Sequence, residues 1–181
     1  MIRKLIAISC LAALAGCASQ DIPKERYSGF LSERYYEQLA KVESPSDQVV
    51  FRFISPNFKA DNYHHVQVDP VIAYPKPQPT ENVSMDVLIT LQAKLTRLIE
   101  DSISEALPLS QTSGPGVLRA QAAITGVDIS NTGLKGYEYI PIAMIAAGAN
   151  TASGGRDQAV RLFLESRMVD SESGEVMMVG I

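Results

Sequence analysis

The sequence feature that most constrains the fold is a single amphipathic stretch at residues 84–107, SMDVLITLQAKLTRLIEDSISEAL. Its apolar side chains recur every three or four residues, and most of the charged ones fall on the other side of a helix. The apolar positions are Val87, Leu88, Leu91, Leu95, Leu98, Ile99, Ile103 and Ala106. Ser84 can cap the start of the helix, and Pro108 follows its end. With only one apolar stripe, this element is predicted to be one long helix that packs on a sheet.

The remaining apolar runs are too short for typical helices and are rich in β-branched and aromatic residues. They predict strands at 48–54 and 65–74, and Pro70 indicates that the second strand lies at an edge, bends or ends there. Residues 117–130 alternate between apolar and polar side chains, which predicts a strand with one buried face. Residues 158–181 are typical of a hairpin around the turn SESG.

The order of these elements predicts an α/β fold, an α+β sandwich. Its sheet would be mixed, mainly antiparallel and made of about five strands, with the long helix on one face. Residues 32–42 predict a short helix with Tyr35, Leu39 and Val42 on one side. Because residue 181 falls inside a predicted strand, we expect the domain to continue beyond it, so that this sequence would be truncated at its carboxyl end.

The amino-terminal leader combines a basic start, Met1–Lys4, with an apolar run at residues 5–14. This pattern is typical of a bacterial export signal. Ten helical residues reach about 15 Å, about half of the ~30 Å hydrocarbon core of a bilayer. A permanent transmembrane anchor is therefore disfavoured.

The four residues Leu14-Ala15-Gly16-Cys17 resemble the lipobox of bacterial lipoproteins. The resemblance implies cleavage between Gly16 and Cys17, a diacylglycerol on the Cys17 sulfur and a further acyl chain, such as palmitate, on the new amino terminus. An ordinary secretory signal cut nearby, for example after Ala18, is the alternative. Ala18 and Ser19 follow the cysteine, where an aspartate would favour the inner membrane. The resemblance thus implies the outer membrane, with the domain on its periplasmic face.

The chain accordingly divides into a signal peptide at 1–16, a polar tether at 17–30 and a single periplasmic α/β domain at 31–181. Proline and glycine interrupt the tether, which has no helical periodicity. Cys10 leaves with the signal, so Cys17 is the only cysteine of the mature chain and no intramolecular disulfide can form.

Four phrases of the mature chain together resemble a known family. They are YSGFL at 27–31, VQVDPV at 66–71, GPGVLRAQAAITGV at 114–127 and VDSESGEV at 169–176. They are similar to the bacterial lipoprotein family catalogued as domain of unknown function 3313, and the resemblance covers most of residues 27–181. It implies a lipoprotein and its fold but supplies no activity, because members of the family are functionally uncharacterised. The family's usual continuation after the last strand is missing here.

The sequence contains few candidates for catalytic or metal-binding residues. His64 and His65 are the only histidines, and neighbours on a strand point to opposite faces, so we expect no metal site. There is no G-x-S-x-G motif, and the SGPGV turn lacks the residues of a phosphate-binding loop. Asp69 before Pro70 is more typical of a cap or turn than of a functional group. The sequence predicts no catalytic residue and no cofactor.

Composition and charge limit the classes of partner that the chain is expected to bind. With 16 basic and 20 acidic side chains the net charge is −4, and no basic stripe is present, so we expect no nucleic-acid partner. The apolar run at 140–149 is too short to span a bilayer. It is interpreted as packing on the sheet, with membrane contact or partner docking as the alternative.

These features predict a non-enzymatic, lipid-anchored cell-envelope protein. Its periplasmic domain would act as an accessory or binding domain for another envelope protein. One alternative is a carrier or sensor that holds an apolar ligand between helix 84–107 and the sheet. Another is a hydrolase whose catalytic residues meet only in the folded chain.

Overall fold

The computed structural model describes residues 22–43, 49–76, 85–131, 140–141 and 158–181. Two helices and eight strands lie within these ranges. In chain order they are α1 (Glu33–Tyr36), β1 (Ala40–Val42), β2 (Val50–Ile54), β3 (His65–Val68), β4 (Ile72–Ala73), α2 (Met85–Ser104), β5 (Val117–Asn131), β6 (Ile140–Pro141), β7 (Gln158–Asp170) and β8 (Val176–Gly180). Short 3₁₀ turns occupy Lys24–Arg26 and Ala60–Asn62.

The strands form one sheet in the order β1-β2-β8-β7-β5-β3, with β4 and β6 also paired to β5. β3 and β4 run parallel to β5, and the other pairs are antiparallel. The predicted mixed, mainly antiparallel sheet with one long helix is confirmed. The described part of the sheet has eight strands rather than about five. The predicted strand at 65–74 is split in two, and β1 and β6 are too short to show as apolar runs.

The predicted long helix is confirmed as α2, which ends before the expected boundary at residue 107. Leu88 packs on a buried cluster from the sheet that includes Val71 and Ile124, and further helix side chains extend this contact. Those side chains are Leu91, Leu95 and Ile99. Leu98, predicted on the apolar face, is 63% exposed, so that assignment was wrong. The predicted cap, Ser84, lies outside the described residues.

The predicted helix at 32–42 was wrong over most of its length. Only Glu33–Tyr36 is helical, and Ala40–Val42 form strand β1. β1 pairs antiparallel with β2, Val42 opposite Val50. Strand pairing within the fold therefore overrides the weak helical pattern of this stretch.

β5 departs from the prediction of one buried face. Ala122 and Ile124 face the α2 cluster, yet Ala123 and Thr125, which alternate with them, are also buried, Ala123 completely. Successive strand residues point to opposite faces, so both faces of the sheet are covered here. Single-sided burial would leave Ala123 and Thr125 in solvent.

The second face is covered by residues 22–39, which we call the amino-terminal segment. Leu31, Tyr35, Tyr36 and Leu39 form a buried cluster with Val179 of β8. Side chains from the start of the segment and from β2 pack against this cluster, namely Ile22, Tyr27, Phe30, Phe51 and Phe53. The part of the predicted tether that the structure describes therefore lies on the domain.

The interruption of the strand at Pro70 was predicted, and the structure shows which groups bond to the backbone there. β3 ends at Val68 and β4 begins at Ile72. Between them, Val71 N–H donates to Thr96 Oγ1 (2.9 Å), and Gln92 Nε2 donates to the Val71 carbonyl (3.1 Å). Side chains of α2 thus bind both backbone polar groups of a residue that would otherwise leave them unpaired.

The predicted hairpin of β7 and β8 is confirmed. Asp170 Oδ1 accepts the backbone N–H groups of Glu172 (3.1 Å) and Ser173 (2.8 Å) in the turn. The backbone hydrogen bond from Ser173 is the main cause that lowers the pKa of Asp170. Gly174 has a φ of 72°, as its place in the predicted loop required.

Candidate functional site

The predicted lipidation residue Cys17 and the predicted cleavage site Gly16–Cys17 lie outside the described residues. They stay predictions. Ile22 is the first described residue, five positions beyond Cys17. Of the apolar run at 140–149, only Ile140–Pro141 are described, and they pair antiparallel with β5 at Gly126 and Val127.

The most buried acidic group of the described structure is Glu165 on β7, which is 2% exposed. Its Oε2 atom accepts hydrogen bonds from Tyr36 Oη (2.7 Å) and Ser28 Oγ (2.9 Å). The Thr125 side chain and the Leu31 backbone N–H also bond to the carboxyl group. We call these five residues the Glu165 cluster. Three of its four donors belong to the amino-terminal segment, so the cluster joins that segment to the sheet.

The local conformation of the amino-terminal segment places these donors. Gly29 has a φ of 88°, a conformation that residues with a Cβ rarely adopt. This turn lets Phe30 N–H donate to Ser28 Oγ (3.0 Å) while the Ser28 hydroxyl points to Glu165. Helix α1 then turns Tyr36 inward, where its ring stacks on Tyr27 with centroids 4.0 Å apart.

The electrostatics of the cluster follow from its burial. Burial raises the pKa of Glu165, and the hydrogen bonds from Tyr36, Ser28, Thr125 and Leu31 oppose that shift. Burial is also the main cause that raises the pKa of Tyr36 to about 12. All four donors to Glu165 are neutral, so hydrogen bonds rather than a salt bridge with one of them hold the carboxyl group in place. The Glu165 cluster thus attaches the amino-terminal segment to the sheet through buried hydrogen bonds.

A second polar cluster lies nearby on β5 and β7, and we call it the polar row. Asp69 accepts hydrogen bonds from Arg119 Nε and Gln121 Nε2, both at 2.8 Å. Arg167 Nε donates to Gln121 Oε1 at 2.7 Å. The Arg167 guanidinium carbon lies 5.1 Å from the ring centroid of Phe30 in the amino-terminal segment. The polar row therefore also contacts that segment, through a cation–π interaction.

Asp69 is placed by strand pairing and not only by a turn. Its backbone N–H donates to the Ala120 carbonyl at 2.9 Å, and its side chain lies over β5. Burial alone would raise the pKa of Asp69, but the hydrogen bonds from Arg119 and Gln121 outweigh that effect and lower it. The Asp69–Arg119 ion pair is partly exposed, with 20% of the Asp69 side chain and 43% of the Arg119 side chain accessible. An ion pair with this exposure contributes little to stability.

His65 is the first residue of β3, and His64 precedes it. The backbone N–H groups of His64 and His65 both donate to the Gly116 carbonyl, at 2.9 and 3.3 Å. Within the described ranges, no three histidine, cysteine, aspartate or glutamate side chains lie close enough together to hold a metal ion. Among the same residues, no helix has the length and apolar character needed to cross a membrane.

Sequence reasoning missed the Glu165 cluster. A signal was present, because Glu165 is the one acidic residue in the run VRLFLESRMV and occupies a strand position beside apolar neighbours. Its partner Ser28 lies 137 positions earlier in the chain. No local pattern links residues at that separation.

Comparisons with known proteins identify the family of the chain and a lipoprotein that is similar to it. A family model described as "Protein of unknown function (DUF3313)" matches residues 26–179. The chain belongs to this family, as the four sequence phrases indicated. "Uncharacterized lipoprotein YdcL" of Escherichia coli K12 is 34% identical over 172 residues, which are 95% of this chain and 77% of that protein. The same-named protein of E. coli O157:H7 matches equally well. No solved structure matches the chain.

The Tyr36 hydroxyl gives a direct test of the Glu165 cluster. Tyr36→Phe keeps the ring that stacks on Tyr27 but removes a hydrogen bond to a buried acidic group. We expect the free energy of unfolding to fall by about 1.5–3 kcal/mol, measured by urea denaturation. Tyr35→Phe is the matched control, because the Tyr35 hydroxyl accepts a hydrogen bond from Arg34 (2.6 Å) instead of donating one to Glu165. Equal losses from the two variants would contradict the account.

The raised pKa of Glu165 predicts a pH dependence of stability. Because the folded state holds this proton more tightly than the unfolded state, the stabilising contribution is full below the unfolded pKa and declines as pH rises through the folded pKa. Glu165→Gln lacks this titration. The free energy of unfolding of the wild type minus that of Glu165→Gln should therefore fall as the pH rises above the ordinary carboxyl pKa of 4.5. Glu172→Gln, at an exposed hairpin residue, serves as the control, and a difference that rises with pH would refute the prediction.

Proposed function

We propose that the mature protein is a lipid-anchored envelope protein, cut between Gly16 and Cys17 and acylated on Cys17. The observation that carries the proposal is the extent of the match to lipoprotein YdcL. Because that match takes in 172 of the 181 residues, it begins no later than residue 10 and includes Leu14–Cys17. The region aligned with a lipoprotein thus spans the four residues where the lipid would be attached, which supports the proposal.

The chemistry of this modification explains a lasting attachment. Each methylene buried in a bilayer contributes about 0.8 kcal/mol, yet a single acyl chain gives only marginal, reversible binding. A diacylglycerol on the sulfur and a further chain on the amino group provide three chains on one residue. Three chains make release from the bilayer very slow. The domain itself then needs no membrane-spanning helix.

The outer membrane is the proposed location, with the domain in the periplasm. Support comes from Ala18 and Ser19, which follow the cysteine where an aspartate would favour retention at the inner membrane.

The proposed role is that of a non-enzymatic accessory or binding domain. Two acidic groups of the described sheet engage structural partners, Glu165 with the amino-terminal segment and Asp69 with Arg119 and Gln121. These contacts favour a role exerted through the surface. The packing of α2 also favours a binding domain over a carrier of an apolar ligand. Its side chains contact Ile124 and Val71 directly, and Gln92 and Thr96 bind the backbone beneath the helix.

The anchor is tested by comparing the two cysteines. Cys17→Ser should abolish acylation of the mature amino-terminal peptide and release the protein from the outer-membrane fraction, because the sulfur that carries the lipid is gone. Mass spectrometry of that peptide and density-gradient fractionation measure the two effects. Cys10→Ser changes only the leader and should leave both unchanged. An unmodified wild-type peptide, or one that begins elsewhere than Cys17, would overturn the proposal.

A further inference from the structure

Few residues separate the proposed anchor from the first described residue of the domain. Ile22 follows Cys17 by five residues, and five extended residues span at most about 18 Å. If they behave as a flexible chain, their root-mean-square span is about 12 Å. The domain can therefore move away from the membrane only within this reach, as long as Ile22 stays packed.

Several contacts keep the amino-terminal segment packed from its first described residue. Ile22 lies against the cluster of Leu31, Tyr36 and Val179. The stacking of Tyr27 on Tyr36 and the bond from Ser28 to Glu165 hold the next turn. Release of the segment would expose the apolar cluster and leave the buried carboxyl group without its donors, which is costly.

The thickness of the domain decides which face can approach the bilayer. The amino-terminal segment and α2 cover opposite faces of the sheet. Packed layers lie about 10 Å apart, and the outer surface of a helix lies about 5 Å beyond its axis. The outer surface of α2 is thus about 25 Å from the layer that contains Ile22. This exceeds the reach of about 18 Å, so α2 cannot lie flat on the membrane while the segment stays packed.

The charges on the amino-terminal segment do not provide an alternative cause of orientation. Three exposed basic residues are matched by three exposed acidic ones: Lys24, Arg26 and Arg34 against Glu25, Glu33 and Glu37. Lys24 pairs with Glu33 at 2.7 Å and lies 3.6 Å from Glu37. A balanced surface gains little from anionic headgroups.

We propose that the amino-terminal segment forms a membrane-facing surface, held against the lipid headgroups of the bilayer by its short connection to the anchor, and that α2 faces the periplasm. The proposal rests on the anchor at Cys17. In this orientation the exposed residues of α2, such as Ile89 and Leu98, face away from the membrane.

Energy transfer from single labels to the bilayer surface tests this orientation. The mature chain has no cysteine except Cys17, whose sulfur carries the lipid, so one introduced cysteine can be labelled selectively. Gln38→Cys reports on the amino-terminal segment and Lys94→Cys on α2, and both positions are exposed. The lipidated full chain is placed in vesicles of phosphatidylethanolamine and phosphatidylglycerol that contain an acceptor on a headgroup.

Transfer from residue 38 should exceed transfer from residue 94 at least about threefold, because the labels differ in height by about 25 Å. Equal transfer, or stronger transfer from residue 94, would overturn the orientation. Flotation of the vesicles and the mass of the Cys17 peptide are measured on the same sample. Protein without lipid that fails to float refutes the anchor, whereas lipidated protein that floats with equal transfer refutes only the orientation.

A lengthened tether provides the matched variant without disturbing the fold. A flexible insert of about 20 Gly and Ser residues between Ser19 and Gln20 adds a root-mean-square span of about 25 Å. The difference between the two labels should then shrink markedly. A difference that survives the insert would show that the short connection does not orient the domain, and would overturn the proposal.

Discussion

The structure depends on one buried carboxyl group that joins two distant parts of the chain. Glu165 is in the middle of β7, yet three of the four groups that bond to it come from the amino-terminal segment. A buried acidic side chain without donors is strongly destabilising. The segment is therefore a layer of the fold, because both the apolar cluster around Tyr36 and the carboxyl group of Glu165 require it.

The two faces of the sheet are closed by different means. On one face α2 provides a long apolar stripe, and Gln92 and Thr96 bind the backbone at the Pro70 break. On the other face a short, mostly irregular segment achieves the same burial with stacked aromatic rings and the Glu165 cluster. For a lipoprotein this asymmetry matters, because the irregular layer is the one that leads to the proposed anchor.

The sequence predicted those elements whose pattern repeats locally. The helix α2, the alternating strand β5 and the hairpin after Asp170 each carry a periodic or turn signal within about 25 residues. The amino-terminal segment was interpreted as a tether up to residue 30 because Tyr27, Phe30 and Leu31 sit among polar residues and breakers without a period. Their burial follows from contacts with β2, β7 and β8, which are far along the chain. The Asp69–Arg119 pair was missed for the same reason.

The claim that the amino-terminal segment is a layer of the fold is tested most directly by native-state hydrogen exchange. The Leu31 N–H bonds to Glu165 and lies in a residue that is 2% exposed. Its opening free energy should lie within about 1 kcal/mol of that for the central amides of β5. Exchange of the Leu31 amide at the rate of an unstructured chain, while β5 stays protected, would contradict the account.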